Sequence, residues 1–260
     1  MIFWFSGTGN SRWVATRLGE MIDDPHIYSM AELLVAGKLA FTLQSNERVG
    51  FVFPTYSWGP APVVDEFLAH IQIQGYTAGS NYCCAVTTCG DDVGLSHQIM
   101  AKAAARVGLH LDAMFSVTMP NNYVCLPGFD TDPHDLEQRK LKAAADRMAM
   151  VGEAIAERRC TVSVTPGGMP WLKSRVIRPL FKRLLMSPRK FGVDSSACTR
   201  CGICSRVCPM HNVSAASASA LPEWGSRCAM CLACYHHCPA HAVHYGGATR
   251  GKRQYFLGHK

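Results

Sequence analysis

CTRCGICSRVCP, residues 198–209, and CAMCLACYHHCP, residues 228–239, are two copies of one cysteine pattern. The first sets Cys198, Cys201, Cys204 and Cys208 before Pro209; the second sets Cys228, Cys231, Cys234 and Cys238 before Pro239. Three thiolates spaced by two residues can turn inward from one short loop. With a fourth cysteine before proline, this is the bacterial pattern for holding a [4Fe–4S] cube. The copies continue alike, CPMHNV at 208–213 against CPAHAV at 238–243, as a duplicated module does. A disulfide framework suits a small secreted chain rather than one of 260 residues. Zinc knuckles use paired cysteines, which would leave the third and fourth of each copy unexplained.

Five further cysteines, Cys83, Cys84, Cys89, Cys125 and Cys160, join these eight and point to a reducing compartment. The chain opens on the apolar run Ile2-Phe3-Trp4-Phe5, and no run of eighteen apolar residues occurs. A cytoplasmic protein without export signal or transmembrane segment is therefore expected. Clusters of this kind are commonly oxygen-sensitive, which points to an anaerobe. The net charge of +7 divides unevenly. Residues 1–157 carry 10 Lys/Arg and 17 Asp/Glu (−7), whereas 158–260 carry 16 and 2 (+14). A strongly basic half raises the question of nucleic acid. Two oxidised clusters with their thiolates add about −4 and a flavin phosphate about −2, however, which brings the loaded chain near neutral. No nucleic-acid partner is expected.

Residues 1–157 alternate strand-length apolar runs, at 2–5, 27–30, 49–53, 82–87 and 114–119, with helical stretches at 10–22, 61–73, 95–107 and 133–158. That order predicts a parallel sheet covered by helices on both faces, with the loops after each strand gathered along one carboxyl edge. Ligands of open α/β sheets bind at that edge. Residues 158–190 form a basic linker, with nine Lys/Arg and no acid. A helix is predicted there whose stripe of Trp171, Leu172, Val176, Ile177, Leu180, Phe181, Leu184 and Leu185 packs on its own protein, with a membrane surface as the alternative for such a basic amphipathic helix. Its basic side would meet the acidic first half, and Pro179 would bend it. A cluster segment at 191–246 follows, then a polar, basic tail at 247–260 expected to be loose.

The first strand runs into Ser6-Gly7-Thr8-Gly9-Asn10-Ser11 and then directly into a helix. Glycines and small hydroxyl residues at a helix start let backbone N–H groups approach an anion. The loop lacks GxxxxGK[ST], and Arg12 stands where GxGxxG requires its third glycine, so a terminal phosphate monoester fits better than a dinucleotide. Two later carboxyl-edge loops, Pro54-Thr55-Tyr56-Ser57-Trp58-Gly59 and Thr88-Cys89-Gly90-Asp91, could frame a flat ring. Tyr56 or Trp58 would stack on one face, and Tyr123 is a further stacking candidate.

These motifs carry a resemblance. Residues 1–157 resemble a flavodoxin, on SGTGNS and the two ring loops, and residues 191–246 resemble a bacterial two-[4Fe–4S] ferredoxin. The whole chain is similar to flavodoxin–ferredoxin fusion proteins. The resemblance implies an α/β doubly wound sheet of order 2-1-3-4-5 with FMN at its switch point, joined to a small α+β cluster domain. In two-cluster ferredoxins the fourth cysteine ligates the other cluster. This implies Cys198, Cys201, Cys204 and Cys238 on one cube, and Cys228, Cys231, Cys234 and Cys208 on the second. The function implied is electron transfer between flavin, clusters and external redox proteins, some of them acidic, with no residue demanding a general acid or base role. A flavin-dependent reductase of a small molecule such as a quinone is the alternative, and a homodimer is left open.

Overall fold

A computed structural model describes residues 1–214 and 220–258; parts of the cluster segment (215–219) and of the tail (259–260) lie outside the described residues. The first half runs β1 (Ile2–Trp4), α1 (Asn10–Met21), β2 (Ile27–Ser29), α2 (Met30–Ala36), β3 (Ala40–Thr42), β4 (Arg48–Pro54), α3 (Pro62–His70) and β5 (Gln72–Gln74). It continues through β6 (Tyr82–Cys89), α4 (Ser96–Arg106), β7 (Ala113–Thr118), α5 (His134–Ala156) and β8 (Val162–Ser163). Six strands pair in parallel in the order β2-β1-β4-β6-β7-β8. Without the terminal β8 this is the expected 2-1-3-4-5 order, so the domain is flavodoxin-like. The strands read as unbroken apolar runs because both sheet faces are covered; all eight residues of β6 are buried.

Alternate residues feed two cores, as the period of two requires. Phe3, Phe51, Phe53, Cys83 and Ala85 meet α2, α3 and α4 on one face. Ile2, Val52, Cys84 and Val86 meet α1 and α5 on the other. Phe67 of α3 packs 5.2 Å from Phe3 between ring centroids. Its truncation to alanine would cost about 3–5 kcal/mol. The pair β3–β5 forms a separate two-stranded parallel sheet.

The linker helix is continuous through α6 (Pro170–Leu172), a π segment (Lys173–Ile177) and α7 (Arg178–Leu184). Its orientation reverses the expectation. Ser174 and Arg178 are buried while Trp171, Leu172, Val176, Ile177, Leu180 and Leu184 are exposed. Polar anchors decide this. Ser174 donates to the Trp58 carbonyl at 3.0 Å, Arg178 donates to the Pro60 carbonyl at 2.7 Å, and Lys173 and Lys182 pair with Asp92 and Asp65 at 2.6 and 2.8 Å. The expected meeting of basic helix and acidic domain is thus real, through the opposite face of the helix.

The cluster segment is built from β9 (Phe191–Val193) and β10 (Val243–Tyr245), paired antiparallel, with the single turns α8 (Ile203–Arg206) and α9 (Ala233–His236) between them. The tail departs from expectation up to residue 258. Lys252 donates to the Val124 carbonyl at 2.8 Å, Tyr255 to Asn10 Oδ1 at 2.7 Å, and the Leu257 N–H to the Thr8 carbonyl at 2.7 Å. Among the described residues no helix is long and apolar enough to cross a membrane.

Candidate functional site

The two cysteine runs fold as superimposable loops. Left-handed backbone recurs at a constant thirty-residue offset, at Arg200 and Met230, at Gly202 and Leu232, and at His211 and His241. Gly202 tolerates this conformation; Leu232 is held there against its own steric preference, as residues at functional sites often are. Between the loops lie two small cavities. One is lined by Cys198, Cys201, Cys204 and Cys238. The other is lined by Cys208, Cys228, Cys231 and Cys234. Each draws three cysteines from one run and the fourth from the other.

The electrostatics follow the same partition. Burial raises the Cys204 thiol, and charge on Cys238, Cys198 and Cys201 raises it further. Burial also raises Cys231, with Cys234, Cys228 and Cys208 as its charged neighbours. Cys234 is pushed up to about 12, again by burial first. Thiols such as Cys204, Cys231 and Cys234, which resist ionising beside their neighbours, suit a site where bound iron supplies positive charge. N–H groups point at the sulfurs, among them those of Asn212 on Cys208 (3.3 Å), Met230 on Cys228 (3.4 Å), Ala242 on Cys238 (3.3 Å) and the Trp224 indole on Cys234 (3.4 Å). Such donors tune a cluster's potential.

The second cavity abuts the carboxyl edge of the large sheet. Gly7 lies against the Cys231 backbone, so that a Cβ at position 7 would fall 2.7 Å from the Cys231 Cβ and closer still to its carbonyl oxygen. Tyr56 is wedged beside the same cavity, and burial together with the Cys231, Cys228 and Cys125 thiols pushes its hydroxyl well up. Its neighbour Trp58 goes elsewhere, with the Lys173 ammonium 5.4 Å from its ring centroid. Tyr123 is flanked by Phe129 and Phe181 at 5.6 and 5.8 Å. Tyr56 and Tyr123 thus both pack against the core of the cluster segment, whereas Trp58 lies under the linker helix.

The phosphate-type loop is preorganised. Gly9 sits at φ 97 as the N-cap of α1, and Ser6 Oγ accepts from its N–H at 3.1 Å. Ser11 pairs with Thr88 at 2.7 Å, Asn122 donates to Thr8 Oγ1 at 2.5 Å, and Asn10 donates to the Pro120 carbonyl at 3.0 Å. Pro54 ends β4, and the next residue, Thr55, meets Thr87 through their hydroxyls at 2.8 Å. Ser57 and Trp58 both have positive φ, 46 and 59, and the buried Ser57 hydroxyl has no hydrogen-bond partner among the described residues. Cys89 is buried, its thiol raised to about 12 chiefly by desolvation. Gly90 accepts the Asn121 side chain at 2.5 Å from a would-be Cβ, while Asp91 is exposed.

The Thr8, Asn10 and Ser11 side chains are engaged within the protein, which leaves the left-handed glycine at a helix start and the orphaned Ser57 hydroxyl as the features of this edge that suit a phosphate-bearing flavin. Sequence reasoning missed Tyr255 and Trp224, and it reads His236 and His237 as surface histidines, with tuning of a cluster potential as the alternative. His236 is buried, bonding the Asn122 carbonyl through Nε2 at 2.7 Å and accepting from the Tyr255 N–H at 3.1 Å. Burial drops its pKa to about 4, so it bridges as a neutral ring. The apolar Tyr255-Phe256-Leu257 within a polar tail was the one available signal for that contact.

Residues 193–243 match the family model of a 4Fe-4S dicluster domain. No curated protein sequence matches the chain. Solved structures similar to part of it include rubredoxin oxygen:oxidoreductase from Desulfovibrio gigas, with 18% identity, 59% of this chain, 35% of that one and a TM-score of 0.33. NAD(P)H:quinone oxidoreductase from Methanothermobacter marburgensis has 12% identity over 59% of this chain and 94% of its own, at a TM-score of 0.36. An FMN-dependent NADH-azoreductase from Bacillus anthracis in complex with FMN has 11% identity, 60% and 98% coverage and a TM-score of 0.35. The chain spans about a third of the Desulfovibrio protein's length.

Proposed function

We propose that this chain is an electron-transfer protein holding two [4Fe–4S] clusters and an FMN, with transfer between them inside one polypeptide. Cys198, Cys201, Cys204 and Cys238 hold one cluster; Cys208, Cys228, Cys231 and Cys234 hold the other. Ser6 to Ser11 receive the flavin phosphate, and loops 54–59 and 88–91 with Tyr123 flank the ring. The observation that carries this reading is the backbone contact between Gly7 and Cys231, which seats one four-cysteine cavity directly on the phosphate-type loop.

When bound, the flavin exchanges one or two electrons and the cubes one at a time, which matches a two-electron partner to a one-electron one. The chain's own residues position and insulate. Tyr56 keeps water from the gap beside Cys231, and His236, Tyr255 and Leu257 lock the tail over the 8–10 loop. Covalent linkage replaces a diffusional encounter with a high effective concentration. The covered edge favours transfer within the chain over reduction of a diffusing substrate at an open ring. Domains at 1–157 and 191–246, joined by the 158–190 helix region, carry these roles.

The test is anaerobic reconstitution followed by iron, sulfide and flavin analysis, then rapid-mixing spectroscopy of the reduced protein. About eight irons per chain, one FMN and flavin bleaching coupled to cluster reduction are expected. Clusters that form fully while no flavin binds would remove the flavin segment from the proposal. Prompt flavin reduction by NAD(P)H alone would favour a reductase.

A further inference from the structure

The linker helix exposes apolar surface that its own chain does not cover. Met169 is 69% exposed, Trp171 64%, Leu180 54% and Leu184 66%. This is not loose packing, because Ser174, Arg178 and Lys182, at i, i+4 and i+8, fasten the opposite face by hydrogen bonds and ion pairs. The helix is about 22 Å long and lies on the surface with polar anchors inward and its large side chains outward. Contiguous apolar surface displayed by a rigid element marks a docking site.

The charge around the helix indicates what docks. Arg175 and Arg183 are exposed along the same helix, with exposed Arg189 and Lys190 just beyond it, and no Asp or Glu occurs between Arg158 and Val193. A second copy on this face would, by two-fold symmetry, set these arginines against their own counterparts with no acid there to pair them. An anionic bilayer meets both demands, since its phosphates take the guanidinium groups and its acyl boundary takes Trp171, Leu180 and Leu184. We infer that the 169–190 segment is a membrane-surface anchor that lays this protein on anionic lipid. This inference is independent of which cofactors the carboxyl edge holds.

The test is co-sedimentation of the full chain, purified anaerobically, with vesicles of phosphatidylcholine alone or mixed with phosphatidylglycerol. Binding is expected on the anionic vesicles, weakening with salt, and at least about tenfold weaker on phosphatidylcholine alone. The triple variant Trp171→Ser, Leu180→Ser, Leu184→Ser changes only exposed positions and should lower partitioning by about tenfold or more while leaving the melting curve in place. Met150→Ser, at an equally exposed site on α5, should change nothing. Absence of binding to anionic vesicles at physiological salt would overturn the inference. So would vesicle binding that the triple variant leaves intact. A dimer in sedimentation equilibrium that the triple variant dissolves would assign the face to a second copy instead.

Discussion

Gly7→Ala tests whether the cluster segment really rests on the phosphate-type loop. Gly7 is not in the left-handed region, so alanine brings no backbone strain and the effect is purely steric. Its Cβ would lie 2.7 Å from the Cys231 Cβ, where ordinary contact begins at 3.4 Å, a shortfall of 0.7 Å before the nearer carbonyl oxygen is counted. The obstructing atoms are main-chain atoms of a loop fixed by its own cysteines, so no side chain can swing aside. Overpacking of this kind costs about 1–3 kcal/mol. A loss near 2 kcal/mol corresponds to roughly 4–8 °C in Tm for a protein of this size. The assay is thermal unfolding of anaerobic protein, followed by circular dichroism and by cluster absorbance. Gly168→Ala is the control, because nothing lies within 4 Å of its Cβ. The full complement of iron should still assemble. A Gly7→Ala melt within about 1 °C of the unaltered protein would refute the contact, and with it the seating of the 231 loop on the large domain.

Three other outcomes follow from the geometry. Cys208→Ala should damage the cluster otherwise held by the second run and Cys238→Ala that of the first, so electron paramagnetic resonance should show each variant losing the signal of the opposite run; loss of its own run's signal would break the crossed arrangement. Trp224→Phe removes the indole donor to Cys234 Sγ, which should make that cluster's potential more negative and leave its partner's unchanged, as protein-film voltammetry would record. Burial raises the Asp132 carboxyl, but hydrogen bonds from Lys140 and Asn121 outweigh it and hold it below the usual carboxylate range. A depressed folded pKa adds stability above the unfolded value of about 3.9, lost as pH falls through the folded value. Urea unfolding should therefore show an acid-dependent loss beginning below about pH 5 that Asp132→Asn reduces, Asp24 being held low as well, at a cost of about 1–2 kcal/mol near neutral pH.

The α/β half was legible because its strands are buried on both faces. A run such as Tyr82–Cys89 can then be apolar throughout, and its companions β1, β2, β4 and β7 fall where the sequence places them. The short strands β3, β5 and β8 escaped, since two or three residues carry no readable period. The cavity linings follow the crossed grouping that the ferredoxin resemblance implies, three cysteines from one run and the fourth from the other. The linker helix was read inside out. Its apolar stripe argued for burial, but Ser174, Arg178 and Lys182 share the opposite face at helical spacing and find Trp58, Pro60 and Asp65 there. Partners so distant in sequence leave no local trace. Tyr255 and Asn10, 245 positions apart, are one such pair.

What the long-range contacts build is a division of the carboxyl edge among three neighbours. The 6–11 loop receives the Cys231 backbone and the tail. The 55–59 loop receives the linker helix, with the Arg178 guanidinium carbon 2.7 Å from a would-be Cβ on Gly59. The 88–91 loop receives Asn121, itself held by Asp132 at 2.9 and 3.1 Å. Gly7, Gly59 and Gly90 are each glycine for the same reason, close approach by a different element, and none has a positive φ. In an open α/β sheet this edge is where a ligand binds. Here the same loops also fix the cluster segment in place, so a substitution that loosens any one of the three contacts should alter cofactor affinity and the cavity-to-loop spacing together rather than separately.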